Sequence, residues 1–298
     1  MEDEELAAAL LQANNGPSSE GLKPSESQKS DDYESKGTIE FSSLDFMQQF
    51  IKAAKITGLE ADIVLDETGF WCRQMDASHV ALLDVLVPPS AIQKWHVPLK
   101  VKFGIRLDEL DDTVKRIAKL GNDTWLELEL REHDTLYIRG RGNDNRNKEF
   151  VQLTVETGLT DCPLPKLDFP ATIVLRRKAL VDILEDVESK SEQVKISASH
   201  HRDVVFSGKS DAGSVRIPVS TSDLVEVNIP PNSTVQQDYS LSYMLPIVKA
   251  LGTEVVKLCY GNKMPLRMEF PVGSNDGYDG DYTGSHLHFY LAPRVYEA

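Results

Sequence analysis

Residues 264–270, MPLRMEF, and residues 286–295, HLHFYLAPRV, decide how this chain folds. Each run alternates with the two-residue period of a strand buried on one side. Leu266, Met268 and Phe270 fall on one face, with Arg267 and Glu269 on the other. Leu287, Phe289 and Leu291 likewise oppose His286, His288 and Tyr290. The stretch between the runs is rich in Gly, Asp and Tyr, so the two predict a long-looped hairpin. Pro293 ends the second strand, because proline cannot donate to a sheet ladder.

Working outward, the chain repeats itself. Leu107, Leu110, Val114, Lys115 and Ile117 are answered 134 residues later by Leu241, Met244, Val248, Lys249 and Leu251. Phe46 and Phe50 are answered by Leu180 and Leu184, and the strand after the second helix keeps step, Leu128 matching Leu258. Each half thus carries a helix, several strands, a second helix and more strands, which makes an α+β domain present twice. Helical spacing predicts helices over 43–55, 107–120, 178–187 and 240–251, the last kinked or shortened by Pro246. Strands are predicted over 61–65 and 70–74 about a turn at 66–69, then over 80–87, 125–130, 135–139 and 150–155. In the second half they are predicted over 194–197, 203–207 and 215–219, with His200 and His201 in a turn. Residues 139–148, RGRGNDNRNK, read as a loop with four cations, either a solvated turn or a phosphate contact.

Composition divides the chain further. Residues 1–37 are acidic, then Ala/Leu-rich around Leu6, Leu10 and Leu11, then rich in Pro, Ser, Gly and charge, a disordered-tail signature. Residues 157–170 are Pro-rich and hold Leu159, Leu164, Leu167 and Phe169, the signature of a connector between domains at 38–156 and 171–298. The 298 residues are 41% hydrophobic and 27% charged, ordinary for a globular chain. No apolar run of about 18 residues predicts a membrane span. Cys72, Cys162 and Cys259 are odd in number and lack metal spacing, so they read as reduced thiols. The formal net charge of −15 argues against a tight grip on nucleic acid. It permits loose contact if the cations gather on one surface.

Catalytic signals are sparse. No P-loop, HExxH, GxSxG or dinucleotide fingerprint occurs. Asp276, Asp279, Asp281, His286 and His288 lie in one short stretch, and carboxylates with imidazoles hold divalent metals. One reading is therefore a metal-dependent hydrolase built on Asp279, Asp281, His286 and His288. The other is a solvated hairpin loop beside two strand histidines. The polar sides of the helices carry Lys52, Lys55, Lys115, Arg116, Lys119 and Lys249, and Lys115 and Lys249 are equivalent in the repeat.

Together with residues 75–82, MDASHVAL, the hairpin resembles the PCNA family of sliding clamps over residues 38–298. The resemblance implies a duplicated clamp domain, three chains forming a six-domain ring with inner helices and outer sheets. It implies no enzymatic activity and no cofactor. Lys52, Lys55, Lys115, Arg116, Lys119, Arg146, Lys148 and Lys249 would face encircled duplex DNA. Met75, His79, Val80, Leu82, Leu164, Leu167, Phe169, Pro265, Tyr290, Ala292, Pro293 and Val295 would form a groove for partner peptides. The partners implied are a replicative polymerase, flap endonuclease, DNA ligase and a clamp loader. Phe150 and Leu153 would meet Val215 and Ile217 of the next subunit, where Pro218 removes a donor.

Two departures from the family pattern stand out. Asp182, Glu185 and Asp186 occupy a helix where clamps place basic residues, and Gln48 and Gln49 replace common lysines. These leave a homotrimer, a heterotrimeric or checkpoint-type clamp and a stand-alone peptide-binding adaptor as alternatives. The wording of the hairpin leans to the archaeal branch, hence a cytoplasmic, nucleoid-associated place; a eukaryotic source would mean the nucleus.

Overall fold

The computed structural model describes residues 34–159, 162–164, 166–200, 202–211, 213–271 and 284–294. The first half runs β1 (Ser35–Phe41), α1 (Asp45–Thr57), β2 (Glu60–Asp66), β3 (Gly69–Met75), β4 (Ala81–Val87), β5 (Lys94–His96), β6 (Val101–Arg106), α2 (Leu107–Ala118), β7 (Trp125–Arg131), β8 (Thr135–Arg141) and β9 (Asn147–Leu153). The second half runs β10 (Ala171–Arg176), α3 (Arg177–Glu188), β11 (Gln193–Ser199), β12 (Val204–Ser210), β13 (Gly213–Val219), β14 (Glu226–Asn228), β15 (Thr234–Ser240), α4 (Leu241–Ala250), β16 (Val255–Tyr260), β17 (Leu266–Phe270) and β18 (His286–Leu291). Between them, the described residues of the 157–170 connector form neither helix nor strand.

The two halves share one plan. The order β5-β1-β7-β8-β9 in the first is matched by β14-β10-β16-β17-β18 in the second. The order β4-β3-β2-β6 is matched by β13-β12-β11-β15. The halves join where β18 pairs with β4, fusing one sheet from each into a nine-stranded sheet. Among the strands at the sheet ends are β9 and β13. By the same matching, β9 is the counterpart of β18, and β13 the counterpart of β4.

Register corrects one expectation about the repeat. Leu128 lies opposite Ile39, and Leu258 opposite Ile173, so Leu128 and Leu258 are true equivalents. Their separation is 130 residues, however, against 134 for Ile39 and Ile173. The second half is four residues shorter across this helix and its exit: α4 ends at Ala250, nine residues after it starts, whereas α2 spans twelve residues.

The hairpin that opened the sequence reading is present, with Leu266 opposite Leu291 and Phe270 opposite Leu287. Residues 272–283 of its connection lie outside the described set, and with them Asp276, Asp279 and Asp281. Apolar alternation puts Met268, Phe289 and Leu83 in one fully buried row. Burying a side chain of this size contributes roughly 1.5–3 kcal/mol. Helix α1 docks through an aromatic cluster in which Phe46 and Phe50 each meet Phe70 edge-on, with ring centroids 5.4 Å apart. Pro246 does not break α4: it is exposed, and the helix runs past it.

Other differences follow from local chemistry. Half of residues 139–148 is strand, the ends of β8 and β9, and Arg139 is held in the sheet by Glu127, Glu129 and Glu149 at 2.5–2.7 Å. Only the turn from Gly142 to Arg146 remains as loop, closed by the Gly142 N–H donating to the Arg146 carbonyl. Val155 leaves the β9 ladder to bridge Gly104. Gly104 has no room for a side chain, since an added Cβ would sit 2.3 Å from the Val155 carbonyl oxygen. Strand β1 starts at Ser35, inside the stretch whose composition reads as tail.

Candidate nucleic-acid face and partner groove

The four helices lie side by side on one face of the sheets, in the order α2-α1-α4-α3. The Gln49 side-chain oxygen accepts from the Gly252 N–H at 3.2 Å, linking α1 to the end of α4 across the two halves. Of the expected cations on the helices, three carry protein counter-charges. Lys55 meets Asp108 at 2.5 Å and Asp111 at 3.0 Å, Lys115 meets Asp111 at 2.9 Å, and Lys249 meets Glu185 at 2.7 Å. Hydrogen bonds donated to Asp108 and Asp111 raise the Lys55 ammonium above its usual value. Burial pushes the Asp111 carboxyl up, but Lys115 and Lys55 outweigh it and hold it below the carboxylate range.

Lys52, Arg116 and Lys119 are exposed and, among the described residues, make no ion pair. Lys148 donates to the Arg116 carbonyl at the end of α2, and Arg146 pairs with Asp144. Asp182, Glu185, Asp186 and Glu188 are exposed along α3.

On the opposite face, strand register assembles the expected groove residues. Met75 pairs with Leu82, Leu82 with Tyr290, and Tyr290 with Arg267. Leu82 and Tyr290 are buried, so they form the floor rather than the rim. Ala292 donates its N–H to the Val80 carbonyl at 2.8 Å, carrying the ladder one residue beyond β18, as far as Pro293. Leu164 is exposed, and Leu167, Phe169, Pro265, Ala292 and Pro293 are half-buried; Val295 lies outside the described residues. Arg267 stacks on Phe169 at 4.9 Å and so pins the connector to this face.

His79 adopts a left-handed backbone with φ of 56° in the turn between β3 and β4. Asp76 organises that turn. Its carboxylate accepts from the N–H groups of Ser78, Val80 and Ala81 at 3.1, 2.7 and 2.6 Å, and from the Tyr243 hydroxyl at 2.8 Å. Burial pushes Asp76 up, but these bonds outweigh it and hold the carboxyl below its usual range. Tyr243 lies on α4, so this bond also ties the two halves. Neither role was read from sequence, although Asp at 76 followed by Ser at 78 is an Asx-turn signal.

A second row on this face brings five polar side chains together across five strands: Arg73, Asp84, His288, Glu269 and Lys257. Arg73 Nε lies 2.7 Å from Asp84 Oδ1, and His286 Nε2 lies 2.9 Å from Asp84 Oδ2. Glu269 is paired with Arg267 at 2.5 Å and Lys257 at 3.3 Å. Burial and the neighbouring His286 push His288 down to about 4, so its imidazole is neutral at pH 7. Arg73 also reaches the Cys162 carbonyl in the connector at 3.5 Å. Cys72 and Cys259 are buried, and burial raises both thiols.

At the edges, Phe150, Val215 and Ile217 rest half-buried against their own core. Leu153 is 70% exposed and Val151 55%, large for apolar side chains on an unpaired strand. Pro218 lies opposite Val205 and has no N–H to give, so its nitrogen faces the open edge.

No family model matches the chain. Curated relatives do. The DNA polymerase sliding clamp of Nitrosopumilus maritimus is 34% identical over 253 residues, 84% of this chain and 95% of the relative. That of Pyrococcus furiosus is 30% identical over 256 residues, 85% and 96% of the two chains. Among solved structures, PCNA from Thermococcus kodakaraensis superposes with a TM-score of 0.76 at 19% identity, over 87% of this chain and all of that one. PCNA from A. fulgidus, solved with the C-terminal region of FEN-1 bound, gives 0.74 at 19% identity, over 88% and 100%. With relatives matched along nearly their whole length, and a fold that repeats one α+β unit around a shared sheet, this chain belongs to the DNA polymerase sliding clamp family.

Proposed function

We propose that three copies of this chain close a six-domain ring around duplex DNA and hold replication and repair enzymes on its outer face, without catalysis. The observation that carries this reading is the pair of open edges. Strand β9 is the counterpart of β18, and β13 the counterpart of β4, so the joint inside the chain is a template for a joint between chains. A head-to-tail contact of that kind closes into a ring when its rotation permits.

The template fixes a register. Phe289 lies opposite Leu83 at the internal joint, and their counterparts are Phe150 and Val215. The same count sets Lys148 against Ile217 and Glu149 against Arg216. Apolar contact then falls on the helix side and an opposite-charge pair on the outer side. Leu153 extends the apolar edge, while Pro218 removes one donor near the end of the ladder.

In this reading the first clamp domain, expected over 38–156, begins earlier with β1 at Ser35; 171–298 is the second, 157–170 connects them, and the residues before β1 are a tail. Lys52, Arg116 and Lys119, with Lys55, Lys115, Arg146, Lys148 and Lys249, touch phosphates without reading bases. The groove floored by Met75, Leu82 and Tyr290 takes an extended or helical peptide from polymerase, flap endonuclease, ligase or clamp loader. A second reading, one subunit of a heterotrimer, is favoured by the acidic α3 and by Pro218 at the edge.

The test is native mass by light scattering, followed by retention on DNA. Three chains of 33.2 kDa give a species of about 100 kDa. Loaded on closed circular duplex, that species stays bound and runs off when the circle is cut. A monomer at every concentration favours the heterotrimer, and equal loss from circular and linear DNA overturns encirclement.

A further inference from the structure

We propose that Asp84, His286 and His288 form a binding site for a divalent transition metal, with zinc the best match, and that the metal ties β4 to β18. One ligand atom from each of the three residues lies within 4.8 Å of the others. The arrangement follows from strand geometry. Residues two apart on a strand project from the same face, so His286 and His288 stand side by side with stacked rings 4.4 Å between centroids. The antiparallel neighbour then supplies the third group, since Asp84 lies directly opposite His288.

The donor set suits zinc. Two imidazole nitrogens and one carboxylate oxygen are borderline ligands, and three protein ligands leave a fourth position for water. Ligand atoms around a tetrahedral zinc at about 2.0 Å stand roughly 3.3 Å apart. His286 Nε2 and Asp84 Oδ2, at 2.9 Å, are already that close, and small χ rotations bring in His288. Arg73 binds the other carboxylate oxygen, Oδ1, and so orients Asp84 while leaving Oδ2 free for the metal. Glu269, opposite His288 on its far side, adds negative charge near the imidazole.

The position gives the metal a structural task. Asp84 comes from the first half and the histidines from the second, 202 residues away for His286, so coordination cross-links the two halves through the sheet. The site differs from the hydrolase reading of the sequence, whose aspartates belong to the hairpin connection. It borders the row Met75, Leu82 and Tyr290, so an ion there also stiffens the groove floor.

The test uses tag-free full-length chain stripped with a chelator and titrated with zinc chloride against a chromogenic zinc indicator. We expect one zinc per chain. The His286→Ala/His288→Ala double variant should bind at least about 100-fold more weakly, since even outer-shell changes cost 10–100-fold. His96→Ala, altering an exposed histidine on β5, should bind like the parent. Cobalt(II) should give the intense visible bands of a four-coordinate site in the parent and lose them in the double variant. If the alanine variant fails to fold by circular dichroism, His286→Asn/His288→Gln replaces it. Absence of zinc uptake by the parent overturns the proposal, as does uptake that survives loss of both histidines.

Discussion

The joint within the chain and the edges left open differ in how they treat the same positions. At the internal joint, Asp84 and His288 stand opposite each other on the outer side, with Asp84 almost fully buried. At the open edges their counterparts are Arg216 and Glu149, both exposed. On the helix side the internal joint uses Phe289 with Leu83 and Val85, all buried, and the edges use Phe150 with Val215 and Ile217, half-buried. The internal joint also carries two fastenings of its own, the Asp76–Tyr243 bond and the Ala292–Val80 ladder bond. A joint that never opens has been buried and locked. On the proposed reading, the joint that would part to admit DNA is left to exposed charges and half-buried apolar side chains.

The strongest way to break this comparison is Phe150→Asp. A charge at the apolar centre of the open edge should weaken association by about 100-fold or more, roughly 3 kcal/mol. Light scattering should then report monomer, while the melting curve keeps one transition because the internal joint is untouched. Next comes Asp76→Ala, which leaves three N–H groups and the Tyr243 hydroxyl without their acceptor. It should cost about 2–3 kcal/mol in urea unfolding, with little effect on native mass.

The same residue gives a pH test. The Asp76 carboxyl is held below its unfolded value, so its stabilisation is present above about pH 4. That stabilisation is lost as pH falls through the lower, folded value. Between pH 5 and 3 the parent's urea midpoint should therefore fall more steeply than that of Asp76→Asn; parallel curves would remove Asp76 from the account.

Smaller effects sharpen the proposed register. Glu149→Arg and Arg216→Glu should each weaken the trimer about three- to tenfold, and the double variant should recover most of it. No recovery would mean that the two are not opposite each other. Pro218→Ala restores a donor at the edge and should tighten association by about two- to threefold. A loss instead would place that strand end outside the ladder.

Much of this was legible in the chain because burial leaves a period. The alternation in β17 and β18 and the helical stripes of α1 to α4 follow directly from which side chains avoid water. Strands β5 and β14 were not read, because three residues carry no period. Strand β10 was missed for another reason: Ile173, Val174 and Leu175 are all buried, and such a run does not alternate. The candidate site divides the same way. The lysines were visible as a polar helix face, but their acidic partners were not, since Lys55 meets Asp111 from another helix. Asp84 gave no sign of facing His286, because only the meeting of β4 and β18 brings them together.

The paired lysines have a consequence for how a clamp of this kind would respond to salt. A phosphate neutralised by a lysine sheds the cation condensed on it, and liberating that cation makes binding fall steeply as salt rises. Lys55, Lys115 and Lys249 instead carry carboxylates fixed to the same surface. When one of them turns to a phosphate, the carboxylate left behind gathers a cation while the phosphate sheds one, so little is set free on balance. Their contacts with DNA would therefore be shallow and nearly indifferent to ionic strength, and each would hand its lysine back to Asp108, Asp111 or Glu185 as the duplex moved on.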